Sequence, residues 1–206
     1  MFKITIMEEL VQIFCKLPEA GKVKTRLEPC LGKQGAADLY GELLERVVAR
    51  LKPCFNTELW YASTGTVEFL RRFPRLEQKQ QVEGDLGERM LYSMLDGLAR
   101  SERVVLVGSD CPQIDSGYVA QAFAVLKDHD VVLGPAEDGG YGLIGARRLL
   151  PEIFTDIIWS TDHVLSDTCS RLNEGLVNYA MLPLIWDVDR PPDIDRYYEL
   201  LKEELS

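Results

Sequence analysis

Two sets of residues in this 206-residue chain have the types and spacing to do chemistry. One is a run of cations, Lys16, Lys22, Lys24 and Arg26, in the stretch KLPEAGKVKTR, where Glu19 is the single acid. In an extended backbone the side chains at 22, 24 and 26 point the same way, and Gly21 adds flexibility beside them. Such a row suits a chain of phosphates, and it equally suits a solvated edge. The second set is acidic and dispersed. It comprises Asp110 in GSDCP (108–112), Glu137 and Asp138 in AEDGGYGLIG (136–145), and Asp187 and Asp189 in DVDRPPD (187–193). One or two carboxylates together with ligand phosphates are a usual way to hold Mg2+ or Mn2+. Each acidic motif also has a plainer reading. Asp110 can cap a turn, the D-G pair can form a hairpin, and Pro191 and Pro192 can open a helix whose N-terminus favours acids.

These motifs need elements to position them. Residues 11–15, 58–62, 103–107, 130–133, 141–145 and 177–182 read as short strands, 103–107 (RVVLV) most clearly. Helical spacing runs through Ala36, Leu39, Leu43, Leu44, Val47, Val48 and Leu51, and again through Leu86, Met90, Leu91, Met94, Leu95 and Leu98. Met90, Met94 and Leu98 read as a core stripe. Further helices are predicted over 118–126, from Ser160 or Thr161 to Gly175, and through Ile194, Tyr197, Tyr198, Leu201 and Leu205. Short strands alternating with longer helices predict an α/β fold with a mainly parallel sheet covered by helices. No repeat, linker or low-complexity tract divides the chain, so residues 1–206 are expected to form one domain. Ligands in such a sheet sit beyond the carboxyl ends of the strands, where the charged motifs fall. EGDLGERMLYSMLDGL (83–98) reads as a loop entering a helix whose N-terminus can meet a polar ligand.

The formal net charge of −10 argues against general affinity for nucleic acid or anionic membrane. No apolar run approaches the roughly 18–20 residues of a membrane span. MFKITIMEELVQIF is interrupted by Glu8 and Glu9 and lacks a small-residue cleavage site, so no signal peptide is expected. The five cysteines (15, 30, 54, 111, 169) are odd in number, scattered and without a CxxC pair. With only His129 and His163 beside them they predict no structural zinc, and a reduced cytoplasmic protein. Cys111 adjoins Asp110, but neither histidine is near it in sequence to activate a thiol.

Six segments, FCKLPEAGKVKTRL, QVEGDLGERM, LVGSDCP, GPAEDGGYGLIG, WST and DVDRPPDI, run in order from residue 14 to 194. Together they resemble the bacterial glycosyltransferase-like proteins of the nucleotide-diphospho-sugar transferase superfamily, often called radical-SAM/selenoprotein-domain-associated transferases. The resemblance implies an A-type glycosyltransferase fold: a three-layer α/β/α sandwich with a Rossmann-like sheet, shared with small guanylyltransferases. GDLGERMLYSMLDGL is also similar to the segment by which sugar-phosphate cytidylyltransferases contact their nucleotide. By this likeness Lys16, Lys24 and Arg26 contact phosphates, and Asp85, Gly87 and Arg89 lie near the nucleotide. Asp110, with Asp187 or Asp189, holds a divalent metal, Mg2+ or Mn2+. Glu137, Asp138 and Tyr141 face the acceptor, and Lys24, Arg26 and Asp110 are the expected catalytic groups. Lys22 is left to solvent.

The family's closing motif is close to DVDTPED; here Arg190 and Pro192 replace the threonine and glutamate. Gly142 stands where a second aromatic often follows Tyr141. Both departures fall on the acceptor side. The first ten residues lie outside the resemblance and read as an irregular extension. The expected activity is metal-dependent transfer from a nucleotide donor to a small-molecule acceptor. Glycosyl transfer from a nucleotide sugar is the first form. Nucleotidyl transfer from a nucleoside triphosphate, releasing pyrophosphate, is the second, and a non-catalytic nucleotide-binding module is the third.

Overall fold

The computed structural model describes residues 7–62 and 67–204. Strand alternation sorts apolar side chains onto two faces of one seven-stranded sheet. In β1 (Met7–Cys15), Val11, Ile13 and Cys15 enter one core, and Leu10 and Phe14 enter another. β4 (Ser101–Gly108) divides Val105 and Val107 from Val104 and Leu106 in the same way. α1 (Glu28–Leu51) and α3 (Ser116–Val125) cover the first face. α2 (Leu86–Leu98) and α4 (Val164–Glu174) cover the second, with Met90, Met94 and Leu172 buried. This is the expected α/β/α sandwich. α5 (Pro191–Glu204) packs outside α1, where Tyr197 meets Leu39, Leu43 and Trp186.

The remaining strands are β2 (Thr57–Tyr61), β3 (Glu77–Gln80), β5 (Val131–Pro135), β6 (Tyr141–Ala146) and β7 (Tyr179–Met181). Their spatial order is β3-β2-β1-β4-β6-β5-β7. β6 pairs antiparallel with both β4 and β5, while the other pairings are parallel. Six strands therefore deliver their carboxyl ends to one edge. After β1 the chain builds outward through β2 and β3, then returns to place β4 on the other side of β1. That reversal makes the ends of β1 and β4 a topological switch point, where open α/β sheets have their ligand crevice.

Several expectations change. Residues 7–10 are not an irregular extension; they begin β1, with Met7 opposite Ser101 and Leu10 opposite Val104 in a parallel ladder. Residues 1–6, 63–66 and 205–206 lie outside the described residues, and the expectations placed on them (the rest of the extension, Leu205) go with them. β3 (EQKQ) has no apolar alternation to betray it, because a polar strand suffices at the sheet's edge. α4 begins at Val164 rather than at residue 160 or 161, since Ser160 takes a left-handed backbone (φ 66). α1 begins eight residues before its apolar stripe, with Pro29 in its first turn and a kink at Gly32.

Candidate functional site

The loops after β1, β4, β5 and β7 converge on the crevice. After β1 the chain does not stay extended, so the side chains at 22, 24 and 26 do not form one row. Residues 20–22 turn, Lys24 adopts a left-handed backbone (φ 47, ψ 41), and Thr25–Leu27 make a single 3-10 turn. Val23 and Leu27 are buried and anchor this turn. The left-handed residue sends Lys24 inward while Lys22 stays exposed and Arg26 lies at the rim.

Lys24 meets the acids. Its Nζ lies 2.9 Å from Asp110 Oδ2, 4.0 Å from Asp187 Oδ2 and 3.8 Å from Asp189 Oδ1, and its side chain is only 7% exposed. Arg26 pairs with the other oxygen of Asp189. Burial opposes the charge on Lys24, but the three carboxylates raise its pKa above the usual lysine value. Burial likewise opposes ionisation of Asp110, and the Lys24 ammonium overcomes it and holds that carboxyl low. Asp187 is different. Burial first, then the neighbouring Asp110, push it up to about 6, with Asp138 and Asp189 adding to the rise against the pull of Lys24. The cluster has more negative charge than one ammonium offsets.

Backbone hydrogen bonds hold the acidic segments in register. Val188 N–H donates to the Asp110 carbonyl at 3.0 Å, and Ile185 N–H donates to Pro135 O at 2.9 Å. Trp186 N–H donates to Gln113 Oε1 at 3.1 Å. The strand-like stretch 185–189 is thus laced between the GSDCP loop and the β5–β6 hairpin. Asp193 serves its own helix: its Oδ2 accepts from the N–H groups of Asp189 and Arg190.

The D-G hairpin does form, and it carries its acids to the crevice edge. Gly139 has φ 87, and a Cβ there would lie 2.2 Å from the Asp162 carbonyl, so no other residue fits this tip. Asp138 accepts from Gly140 N–H at 2.9 Å, and its charge is felt at Arg26 and Asp187. Glu137 turns away into a two-pronged pair with Arg196, at 2.8 and 2.9 Å. Arg196 stacks on Trp186, 4.3 Å from the ring centroid. Tyr141 packs in the second core cluster with its hydroxyl buried. Gly142 is explained by packing: a Cβ there would meet Cys111 Sγ at 2.7 Å. Burial, with Asp110 and Asp187 nearby, pushes the Cys111 thiol well above its ordinary range. It is a packing residue with no thiolate character.

Asp85, Gly87 and Arg89 sit at the start of α2, outside the carboxylate cluster but on the same sheet edge. Asp85 caps the helix reciprocally with Glu88. Gly87 lies under Trp159, whose ring carbon would be 2.6 Å from an added Cβ. Arg89 donates to Gln81 Oε1 at 3.3 Å, and Gln81 in turn donates to the carbonyls of Cys15 and Trp60 at the ends of β1 and β2.

Two positioning groups escaped the sequence reading. The buried Tyr40 hydroxyl accepts from Lys16 N–H at 2.9 Å and pairs with Ser109 Oγ at 2.7 Å, joining the cationic loop to the GSDCP loop. Lys16 itself is exposed, and its charge reaches Asp110. Tyr40 was one place off the apolar stripe of α1, and only a polar tip on a buried aromatic hinted at it. Gln113 gave no signal at all.

The fold is the nucleotide-diphospho-sugar transferase type of α/β sandwich. Its solved neighbours agree. A protein of Desulfovibrio desulfuricans G20, provisionally described as a nucleotide-diphospho-sugar transferase, is 33% identical, with a TM-score of 0.81 over 90% of this chain and 84% of that one. A CMP:2-keto-3-deoxy-manno-octonic acid synthetase complexed with CTP gives a TM-score of 0.62 at 12% identity, over 96% and 99% of the two chains. Rv0371c of Mycobacterium tuberculosis H37Rv, in complex with manganese, gives 0.56 at 16% identity, over 95% and 100%. At those two identities the likeness is one of fold. Residues 43–161 match DUF2064, described as an uncharacterized protein conserved in bacteria, and the chain belongs to that family. No curated protein matches the sequence.

Proposed function

We propose that the protein is a divalent-metal-dependent transferase that uses a nucleotide-diphosphate donor, with glycosyl transfer from a nucleotide sugar to a small acceptor as its reaction. The observation that carries this reading is Lys24 held among Asp110, Asp187 and Asp189 at the switch between β1 and β4. The oxygen-rich donor set fits a hard cation. So does the position of Asp187, whose carboxyl is pushed up to about 6 by burial and by Asp110 for want of enough positive charge. A bound Mg2+ or Mn2+ would neutralise charge on the phosphate oxygens and the leaving group.

Asp110 would hold that ion, with Asp187 or Asp189 as the second carboxylate. Lys16, Lys24 and Arg26 would grip the phosphates, supplying fixed positive charge where negative charge accumulates. Asp85, Gly87 and Arg89 would border the nucleotide from the start of α2. On the acceptor side, Asp138 has the best position to orient a hydroxyl; Glu137 and Tyr141 would shape the wall behind it. The radical-SAM/selenoprotein-associated subgroup and a cytoplasmic setting belong to the same proposal. Among the described residues no helix is long and apolar enough to cross a membrane.

A second reading, nucleotidyl transfer, is favoured by the cationic loop after β1, which suits a triphosphate. The two separate by product. Incubation with Mn2+ and nucleotide sugars should release nucleoside diphosphate; pyrophosphate release from nucleoside triphosphates would select the second reading instead. Neither product with any nucleotide would defeat both.

A further inference from the structure

Lys24 is placed more deeply than a phosphate contact requires. Its ammonium fills the space between Asp110, Asp187 and Asp189, within 4.0 Å of an oxygen of each. Mg2+ takes its oxygen ligands at about 2.0–2.1 Å. An ion bound to Asp110 Oδ2 would have to share a neighbourhood with an ammonium 2.9 Å from that same oxygen. Two cations that close repel strongly in a partly buried crevice. Consistent with this, no three acidic, histidine or cysteine side chains among the described residues are gathered closely enough to form a ready metal cage. The carboxylates are arranged around the ammonium.

The backbone is suited to an exchange. Lys24 is a left-handed, non-glycine residue (φ 47), preceded by Gly21 at φ 81. A side-chain-bearing residue there is strained. Such strain persists when surrounding contacts hold it; here the buried Val23 and Leu27 hold the turn and the salt bridges hold the Lys24 side chain. Arg26 lies two residues on at the exposed rim, bonded to Asp189. Phosphates arriving at that rim would offer both cations a new partner.

We propose that Lys24 is a built-in counter-ion, occupying the position a divalent cation takes and leaving it for the nucleotide phosphates when that cation enters. This deepens the proposed function and rests on it. Metal entry and phosphate gripping become one event. The metal alone then binds weakly, because it must displace Lys24 with nothing to receive it. With nucleotide present the displaced ammonium has a partner, so metal and nucleotide assist each other's binding, and the assistance is reciprocal.

The test is Mn2+ binding to the protein alone, read by electron paramagnetic resonance of free Mn2+, with no nucleotide present. Lys24→Met removes the charge and keeps the bulk, and should bind Mn2+ about tenfold more tightly than the original protein, within the usual range of coupling between sites. Lys24→Arg keeps the charge and should bind as weakly as the original, which guards against a folding effect at position 24. Adding Asp110→Asn to Lys24→Met should abolish the gain. Equal Mn2+ affinity in the original and Lys24→Met proteins, weaker binding by Lys24→Met, or no binding by any of them would overturn the proposal. Tighter binding by Lys24→Met with no transfer of any nucleotide group would uphold the exchange and count against the transferase reading.

Discussion

Two clusters of charge sit on opposite sides of β1, and they are built by opposite rules. On the β2–β3 side, Glu58 is 2% exposed and forms a two-pronged pair with Arg100, at 2.7 and 3.1 Å, while Trp60 Nε1–H donates to it at 3.0 Å. Lys79 donates to Asp96 at 2.9 Å and lies 3.3 Å from Glu58, and Arg100 also reaches Asp96. Glu58 and Asp96 each bond a cation directly, and the more exposed Glu77 meets Lys79 at 3.5 Å from the rim. Burial opposes ionisation of both acids, yet these partners hold Glu58 and Asp96 below their ordinary values. On the β4 side, three aspartates share Lys24, with Arg26 at the rim, and Asp187 is pushed up instead. A cluster in which each buried or half-buried acid has its own bonded cation is self-sufficient. The other leaves Asp187 without a bonded cation of its own, and on the proposed function that is where a divalent ion would bind.

The comparison can be broken from either side. Asp110→Ala should have the largest effect: turnover falls about a thousandfold, equal to about 4 kcal/mol of barrier, while the melting temperature falls less than in Glu58→Ala, because Asp187 and Asp189 remain beside Lys24. Unchanged metal-dependent nucleotide binding in a thermal-shift assay would refute the role of Asp110. Glu58→Ala should do the reverse. Removing one partner of a buried pair costs about 3 kcal/mol, a fall of roughly 10 °C in melting temperature for a chain of this size, with kcat retained in the folded fraction. A smaller effect is expected from Arg26→Ala, whose side chain is 66% exposed. Binding of a nucleoside triphosphate should weaken about tenfold, and binding of the bare nucleoside should not change; equal losses in calorimetry would point to a folding defect.

The smallest effect is in the pH dependence, where the two clusters have opposite signs. Glu58 and Asp96 titrate below their ordinary values in the folded protein, so their stabilisation is complete above the unfolded values of 4.5 and 3.8. It is lost as pH falls through the folded ones. Asp187 titrates at about 6 against an ordinary 3.8, so its contribution is complete below 3.8 and lost as pH rises through 6. Thermal melts with chelator present should show Asp187→Asn stabilised by about 1 kcal/mol at pH 7.5 and unchanged at pH 4, after allowance for solvent screening. Stabilisation that did not depend on pH would break the assignment.

Much of the sandwich was legible in the sequence, because buried elements carry a periodic apolar pattern. RVVLV lies in β4, and Leu86 to Leu98 marks both bounds of α2. Polar elements escaped for the same reason: β3 is EQKQ, and the first half of β1 carries Glu8 and Glu9. Glu8 and Glu9 reach Arg103 on the neighbouring strand, a pairing that no local window contains. The site was legible as a set of residue types. Its geometry was not, since Tyr40 and Ser109 are 69 positions apart and Glu137 finds Arg196 59 positions away.

The amino-acid sequence alone determined that cations follow the first strand and that acids follow the later ones. Strand order along the chain and the carboxyl-edge rule place both at one edge. Only the tertiary structure decided which of them meet. The left-handed turn at Lys24 broke the row expected of an extended backbone, sent one cation inward and left Lys22 outside. Interaction between charges depends on separation and on exclusion of water. Linear spacing contains neither, so the balance of Glu58 and the imbalance at Asp187 first exist in the folded chain.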